Sequence, residues 1–414
     1  VSATEIVHPV PVDEIGPWLR AMGTTFLEDP AMFSGAADAY APQWRPERSW
    51  GVRADGRWVG TLRTIPRRLT LPGTDVDIAA DALTNVTVAA THRRQGLLNT
   101  MLTQSLDAAH RRGDAVSILV AAEWPIYGRF GYAPATSLAH YTAWTGRPGA
   151  RISGAATGTV RQVEAEELAR VAPDVFASAR RLRAGNINRP ADWWNRELGL
   201  NGITRADTRP IVHIVREGPD GIDGYVSWRS TGAWELTGEL GQVTVRELTA
   251  TTPAAYLDLC RYLFSIDVVD RVHLRERPVD EPLQWLLADG RAVTQTHRVD
   301  HVWLRLLDVP AALSARRYAT TDELVIEVQD ADGAGYAAGR YLLEGSPTAA
   351  QCTATTRAPD LRLSQRALAA AYLGGFSLTE QVVTGSVEQV RPGALARADA
   401  LLATPLAPWS ATSF

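Results

Sequence analysis

The spacing of apolar residues changes character along the chain, and each change predicts an element. Over residues 12–24, Ile15, Leu19 and Met22 fall on one face at helical spacing, which predicts a first helix. Residues 25–48 are polar, aromatic and Pro-containing, and read as short helices and loops. From Trp50 the period becomes two. Trp50–Arg53 and Arg57–Leu62 flank Ala54-Asp55-Gly56, a hairpin signal, and Arg67–Leu71 and Val76–Ala80 flank Pro72-Gly73-Thr74, a second one. Ala82–Val88 reads as a further strand, and Ala89–Gly96 as a polar, basic turn. Leu97, Leu98, Met101, Leu102, Leu106 and Ala109 then recur at helical spacing up to Gly113. Ala115–Ala122 is nearly all apolar, as a central strand buried on both faces is.

Residues 146–158 are Gly-rich and read as a connection, after which the pattern partly repeats. Ile211–Arg216 and Gly224–Trp228 read as strands, Gln242–Leu248 as another, Pro253–Phe264 as a helix and Arg271–Leu274 as a strand. Val243-Thr244-Val245 thus takes the place of Val86-Thr87-Val88, in a degenerate copy of one unit that lacks the Arg and Gly of the first turn. Two unrelated α/β segments sharing a common tripeptide is the alternative. A third segment begins near Arg298. Val302–Leu307, Glu323–Val328, Ala338–Glu344 and Ala349–Thr355 read as strands, and Pro310–Ala315, Ser364–Tyr372 and Gly393–Leu401 as helices.

Composition narrows the classes. Of 414 residues 45% are hydrophobic and 21% charged, and the net charge is −4, so no basic excess points to a nucleic acid. The basic residues are all Arg, with no Lys in the chain. Cys260 and Cys352 are too few for a disulfide framework or a Cys-rich zinc site, which suggests a reducing, cytoplasmic compartment. Residues 1–20 lack the apolar run of a signal peptide, Val1 in place of Met suggests a processed or artificially introduced start, and no window of ~18 apolar residues predicts a membrane span. Metal-ligand spacing is absent, so no metal is expected.

The candidate chemistry lies in Val86–Asn99. A strand leads into His92-Arg93-Arg94-Gln95-Gly96, and Leu97 opens a helix. A helix N-terminus presents unpaired N–H groups and partial positive charge, which suits a pyrophosphate. Gly96 removes a Cβ from the approach, and Arg93 and Arg94 add charged donors. A solvated basic turn is the plain alternative. It is not the longer Gly-Lys loop of nucleoside triphosphatases. The next buried strand is followed by Glu123-Trp124-Pro125-Ile126-Tyr127-Gly128-Arg129-Phe130-Gly131-Tyr132. Together with Trp303-Leu304-Arg305, Val309–Leu313 and the terminal Phe414, these motifs resemble the enhanced intracellular survival (Eis) branch of the GCN5-related N-acetyltransferases over essentially the whole chain.

That resemblance implies an α+β chain of tandem acetyltransferase folds, the second degenerate, and a sterol-carrier-protein-like α/β domain. The boundaries expected are 1–147 with the acetyl-CoA site, 148–297, and 298–414. It also implies a homohexamer. The cosubstrate acetyl-CoA would lie against Val86, Thr87, Val88, Arg93, Arg94, Gln95, Gly96, Leu97, Leu98, Asn99, Ala122 and Glu123. Tyr127 matches the general acid, since a phenol of pKa ~10 holds its proton at neutral pH. Tyr132 reads as core. Phe414 matches the residue whose terminal carboxylate serves substrate deprotonation, with Ser413 standing where an acidic residue is frequent. On the substrate side Phe26, Glu28, Asp29, Phe33, Trp44 and Trp194 are candidates, as carboxylates and aromatic faces attract a cationic amine. The expected activity is acetylation of primary amines on cationic small molecules such as aminoglycosides. Lysine acetylation of proteins or peptides, and a lipid-binding scaffold, are the alternatives.

Overall fold

The structure is a computed structural model, and it describes residues 3–28, 36–73, 76–200, 209–231, 240–330 and 335–414. Its contacts divide the chain into two units. The first holds residues 1–135, 302–403 and 413–414, and the second holds 136–301 and 404–412.

In the first unit the strands before residue 135 are β1 (Thr4–Val7), β2 (Ser49–Ala54), β3 (Arg57–Thr70), β4 (Asp77–Val88), β5 (Val116–Val120) and β6 (Ala133–Pro134). The helices among them are α1 (Ile15–Thr25), α2 (Ala36–Tyr40), α3 (Leu97–Arg111) and α4 (Trp124–Tyr127). Asp55 and Gly56, both at positive φ, turn β2 into β3 as the hairpin signal requires. The expected breaks near residues 63–66 and 81 do not occur. Pro66 stays in register opposite Asp81, and two long strands form where four short ones were expected. On α3, Leu97, Met101, Leu102, Leu106 and Ala109 bury against Trp50, Leu62, Leu83 and Leu119 of the sheet. On α1, Ile15, Leu19 and Met22 pack with Trp18, Val10 and Trp44.

The second unit contains β7 (Ser137–Trp144), β8 (Thr159–Val163), β9 (Val212–Gly218), β10 (Gly221–Ser230), β11 (Gly241–Ala250), β12 (Val269–Arg277) and β13 (Val293–Asp300). Its helices are α5 (Ala165–Arg180), α6 (Ala191–Glu197) and α7 (Pro253–Phe264). The sheet order is β13-β7-β12-β11-β10-β9-β8, with β11 and β12 parallel as β4 and β5 are.

The first unit resumes with β14 (Val302–Leu306), which is buried throughout and lies between β5 and β6, giving the order β1-β2-β3-β4-β5-β14-β6. Strand pairing therefore crosses the boundaries expected at 147 and 297. Residues 137–144 pair in the second sheet, and 302–306 complete the first. A strand buried on both faces sits centrally, with neighbours on both edges. The remaining elements are α8 (Val309–Ala315), β15 (Asp322–Gln329), β16 (Gly339–Gly345), β17 (Ala350–Ala354), β18 (Leu361–Ser364), α9 (Gln365–Ala371), α10 (Leu378–Gln381), β19 (Val387–Gln389) and α11 (Ala394–Leu402). They form a five-stranded sheet, β17-β16-β15-β18-β19.

Candidate active site

The parallel pairing of β4 with β5 runs from Ala80–Val116 to Leu83–Leu119 and stops there, while β4 continues to Val88. Among the described residues, β5 beyond that point keeps only β14 as a partner, through Val120 and Val302. The two strands therefore split. A bulge helps to bend β4 away: its register with β3 shifts between Thr84 and Thr87, and Asn85 takes a positive φ of 55°. The Ala89 N–H donates to Val59 O at 2.8 Å, so the alternation of the strand turns the N–H and C=O of Val88 away from β3 and into the split. Val86 stands beside the bulge, half-buried, and Thr87 is buried with its Oγ1 on Thr61 Oγ1 at 2.6 Å.

The chain next enters the turn. Arg94 (φ 64°) and Gly96 (φ 77°) are both left-handed, which curls the backbone before α3. A non-glycine residue at such a φ costs about 1–2 kcal/mol, so a strained turn here marks a functional candidate. Gly96 is the N-cap of α3, no side chain caps the helix, and no acidic residue lies in its first turn. The N–H groups of Leu97, Leu98 and Asn99 thus face outward at the positive end of a 15-residue helix. A Cβ built at Gly96 would meet nothing within 4 Å, so the space before the helix is open. Arg93, Arg94, Gln95 and Asn99 are exposed, whereas Leu97 roots the turn in the core. An uncapped helix end, open space and two exposed guanidiniums fit a pyrophosphate. His92 is held by Thr91 Oγ1 at 2.8 Å, a surface contact.

Ala122 and Glu123 are exposed at the end of β5, and Tyr127 follows one helical turn later. The Tyr127 ring is 6% exposed, and its hydroxyl has no hydrogen-bond partner among the described residues. Burial and the nearby Glu123 carboxylate push it up to about 12. Tyr132, edge-on to it at 6.3 Å, is fully buried and bonded to Ser117 Oγ at 2.6 Å, which places it in the core as expected. Phe414 is half-buried and belongs to the first unit, unlike the nine residues preceding Ser413.

The substrate-side candidates divide. Phe26 and Glu28 are exposed at the C-terminal end of α1. Asp29 and Phe33 lie outside the described residues. Trp44 and Trp194 are corrected to core residues. Trp44 is 3% exposed, edge-on to Trp18, with its Nε1 donating to Val10 O at 3.0 Å. Trp194, also 3% exposed, packs with Trp193, Phe176 and Tyr225 in the second unit. Aromatic content alone did not separate a pocket wall from a core.

The second sheet repeats the first arrangement in closed form. Its parallel pairing ends at Val245–Leu274, and the β10–β11 register shifts beside Arg246. The tripeptide 243–245 therefore corresponds to 81–83 rather than to 86–88 as the sequence suggested; counting residues could not place the bulge. Past the split, Arg277 on β12 donates its Nη1 to Leu248 O on β11 at 2.7 Å, bridging the gap. The N-terminus of α7 is capped by Thr252, whose Oγ1 accepts from Ala255 N at 3.0 Å, and Pro253 removes another donor. Among the described residues, the split is thus bridged and the helix end capped. Cys260 and Cys352 are free and buried, their thiols pushed up to about 12 by burial, which makes them core residues. Among the described residues no group of three or more His, Cys, Asp or Glu could hold a metal ion, and no helix is long and apolar enough to cross a membrane.

A split parallel pair, a bulged strand and an uncapped helix define the GCN5-related acetyltransferase class, and comparison with known proteins agrees. Acetyltransferase (GNAT) domain families match residues 7–135 and 185–306, and a sterol carrier protein domain matches 309–411. An uncharacterized N-acetyltransferase of Streptomyces avermitilis is 38% identical over 99% of this chain and 98% of its own length. The N-acetyltransferase Eis of Mycobacterium tuberculosis is 31% identical over 86% of both. The crystal structure of Eis1 from Mycobacterium abscessus covers both chains completely at 30% identity and a TM-score of 0.84. The chain belongs to the Eis family of N-acetyltransferases, with two acetyltransferase folds followed by a sterol-carrier-like domain.

Proposed function

We propose that the protein transfers the acetyl group of acetyl-CoA to primary amines of cationic small molecules, aminoglycosides among them. The observation that carries this reading is the uncapped N-terminus of α3 at the β4–β5 split. In it Arg93, Arg94, Gln95 and Gly96, with the N–H groups of Leu97, Leu98 and Asn99, hold the pyrophosphate. The backbone of Val86, Thr87 and Val88 aligns the pantetheine arm, and the Val88 N–H is offered to the carbonyl oxygen, with Ala122 and Glu123 on the opposite edge. Acetyl-CoA supplies an activated thioester when bound. Tyr127 moves its phenolic proton to the leaving sulfur as the C–S bond breaks and the N–C bond forms. The Phe414 carboxylate takes the proton that the amine gives up, directly or through water. Phe26 and Glu28, exposed beside α1, face the incoming cation.

Homohexameric assembly and a cytoplasmic location accompany this reading; light scattering tests the first, and two unpaired cysteines fit the second. For the substrate class, the test is mass spectrometry of an aminoglycoside, a polyamine and a Lys-containing peptide incubated together with enzyme and acetyl-CoA. Acetylation of the aminoglycoside ahead of the peptide is expected. Acetylation of the peptide alone overturns the small-molecule reading.

A further inference from the structure

Chain ends are normally frayed, but residues 404–412 are fastened within the second unit. The Trp409 N–H donates to Ala184 O at 2.9 Å and its indole Nε1 to Glu276 O at 2.8 Å. Gly185 (φ +92°) lets the tail approach, since a Cβ there would lie 3.0 Å from Trp409 N. Ser410 and Thr412 are fully buried, and the Ser410 hydroxyl closes a turn on Thr412 N at 3.1 Å.

Arg189 is the centre of this fastening. Its side chain is 1% exposed. Nε donates to Thr412 Oγ1 at 2.9 Å, Nη2 to Ala411 O at 2.5 Å, and Nη1 to Glu247 Oε1 at 2.6 Å. Phe176 and Trp193 cover the guanidinium, each 3.9 Å from ring centroid to Cζ, and Trp194 adds a third ring at 5.1 Å. Glu247 is held in turn by the Tyr225 hydroxyl at 2.8 Å. It lies on β11 directly after the register shift, past the last β11–β12 pair, at the place in this second fold where β4 of the first fold opens its split.

We infer that Arg189, seated on Glu247 at the closed split of the degenerate acetyltransferase fold, is a positioning residue that fixes the C-terminal tail and thereby where the Phe414 carboxylate can reach. Two residues span at most ~7 Å, so fastening Thr412 confines the carboxylate to a small volume. The degenerate fold has then exchanged coenzyme binding for holding the tail. The link to catalysis rests on the proposed role of Phe414; the fastening itself does not.

The experiment uses the full-length, N-terminally tagged enzyme and two readouts. The first is the rate at which carboxypeptidase releases Phe414. The second is the split between kcat and the KM for acetyl-CoA. The variants are Arg189→Met and, to avoid stranding a buried carboxylate, the double variant Arg189→Met with Glu247→Gln. Expected are slow release from wild type, release at least ~10-fold faster from both variants, and a fall in kcat of roughly 10²-fold with KM for acetyl-CoA unchanged. Release from a folded variant at the wild-type rate overturns the inference, as does rapid release from wild type. Faster release with unchanged kcat upholds the fastening and overturns instead the catalytic role of the terminal carboxylate.

Discussion

Tyr127 buries its ring, and among the described residues no hydrogen bond ties its hydroxyl, which leaves that hydroxyl available as a proton donor. Held up to about 12, it stays protonated across the working range. Tyr127→Phe is therefore expected to lower kcat by roughly 10²-fold or more while leaving the KM for acetyl-CoA nearly unchanged. Its titration puts no alkaline limb on the rate below pH ~11, given a pKa of about 12. Steady-state kinetics checks both, and near-normal turnover in the Phe variant moves the acid role elsewhere. Tyr127 stands out in the sequence because a family motif surrounds it. Arg189, one arginine among many, does not stand out, because its contacts with Glu247 and Thr412 are long-range. Trp44 and Trp194 failed for the same reason: an indole reads alike whether it walls a pocket or fills a core.

At the scale of elements, α3 is uncapped and α7 is capped, so the proposed function implies one coenzyme site per chain. Calorimetry is expected to give one acetyl-CoA per chain, and Arg94→Ala to weaken binding by about 1–3 kcal/mol, as loss of a charged hydrogen bond does. Two equal sites per chain contradict this. Strands and helices with clean periodicity, such as α3 and the β2–β3 hairpin, were legible. The helix over Ala165–Arg180 and the strands over residues 137–144 and 293–300 are not among the elements the sequence pattern predicts. An edge strand exposed on both faces, as Val293–Asp300 is, leaves no alternation to find. The placement of β14 depends on pairing across 180 residues of chain, which no local pattern encodes. Just before β14, His301 is buried, and that burial pushes it down to about 4. The unfolded chain takes up this proton near pH ~6.5 and the folded one only near 4, so stability is complete above ~6.5 and falls as pH drops through this window. The full shift is worth about 3 kcal/mol. Urea titrations at pH 7.5 and 5 are expected to show a smaller acid loss in His301→Gln than in wild type. An equal loss excludes His301 as its source.

At the scale of the molecule, the two acetyltransferase folds differ in detail. The first keeps the split, the bulge and the open helix. The second fills its split with Arg277, caps its helix and fastens the tail. A residue appended after Phe414 moves the carboxylate away, and a shift of even ~1 Å at a catalytic group can cost ~10²-fold. Such a protein is expected to fold and bind acetyl-CoA normally yet lose most transfer, whereas an N-terminal tag leaves it intact. The most direct measurement is steady-state thiol release from acetyl-CoA by the N-terminally tagged enzyme, with and without an aminoglycoside. The account predicts release that depends on the amine, saturates with it, and yields an acetylated product. Tight acetyl-CoA binding with no amine-dependent release, across aminoglycosides, polyamines and peptides alike, would contradict it.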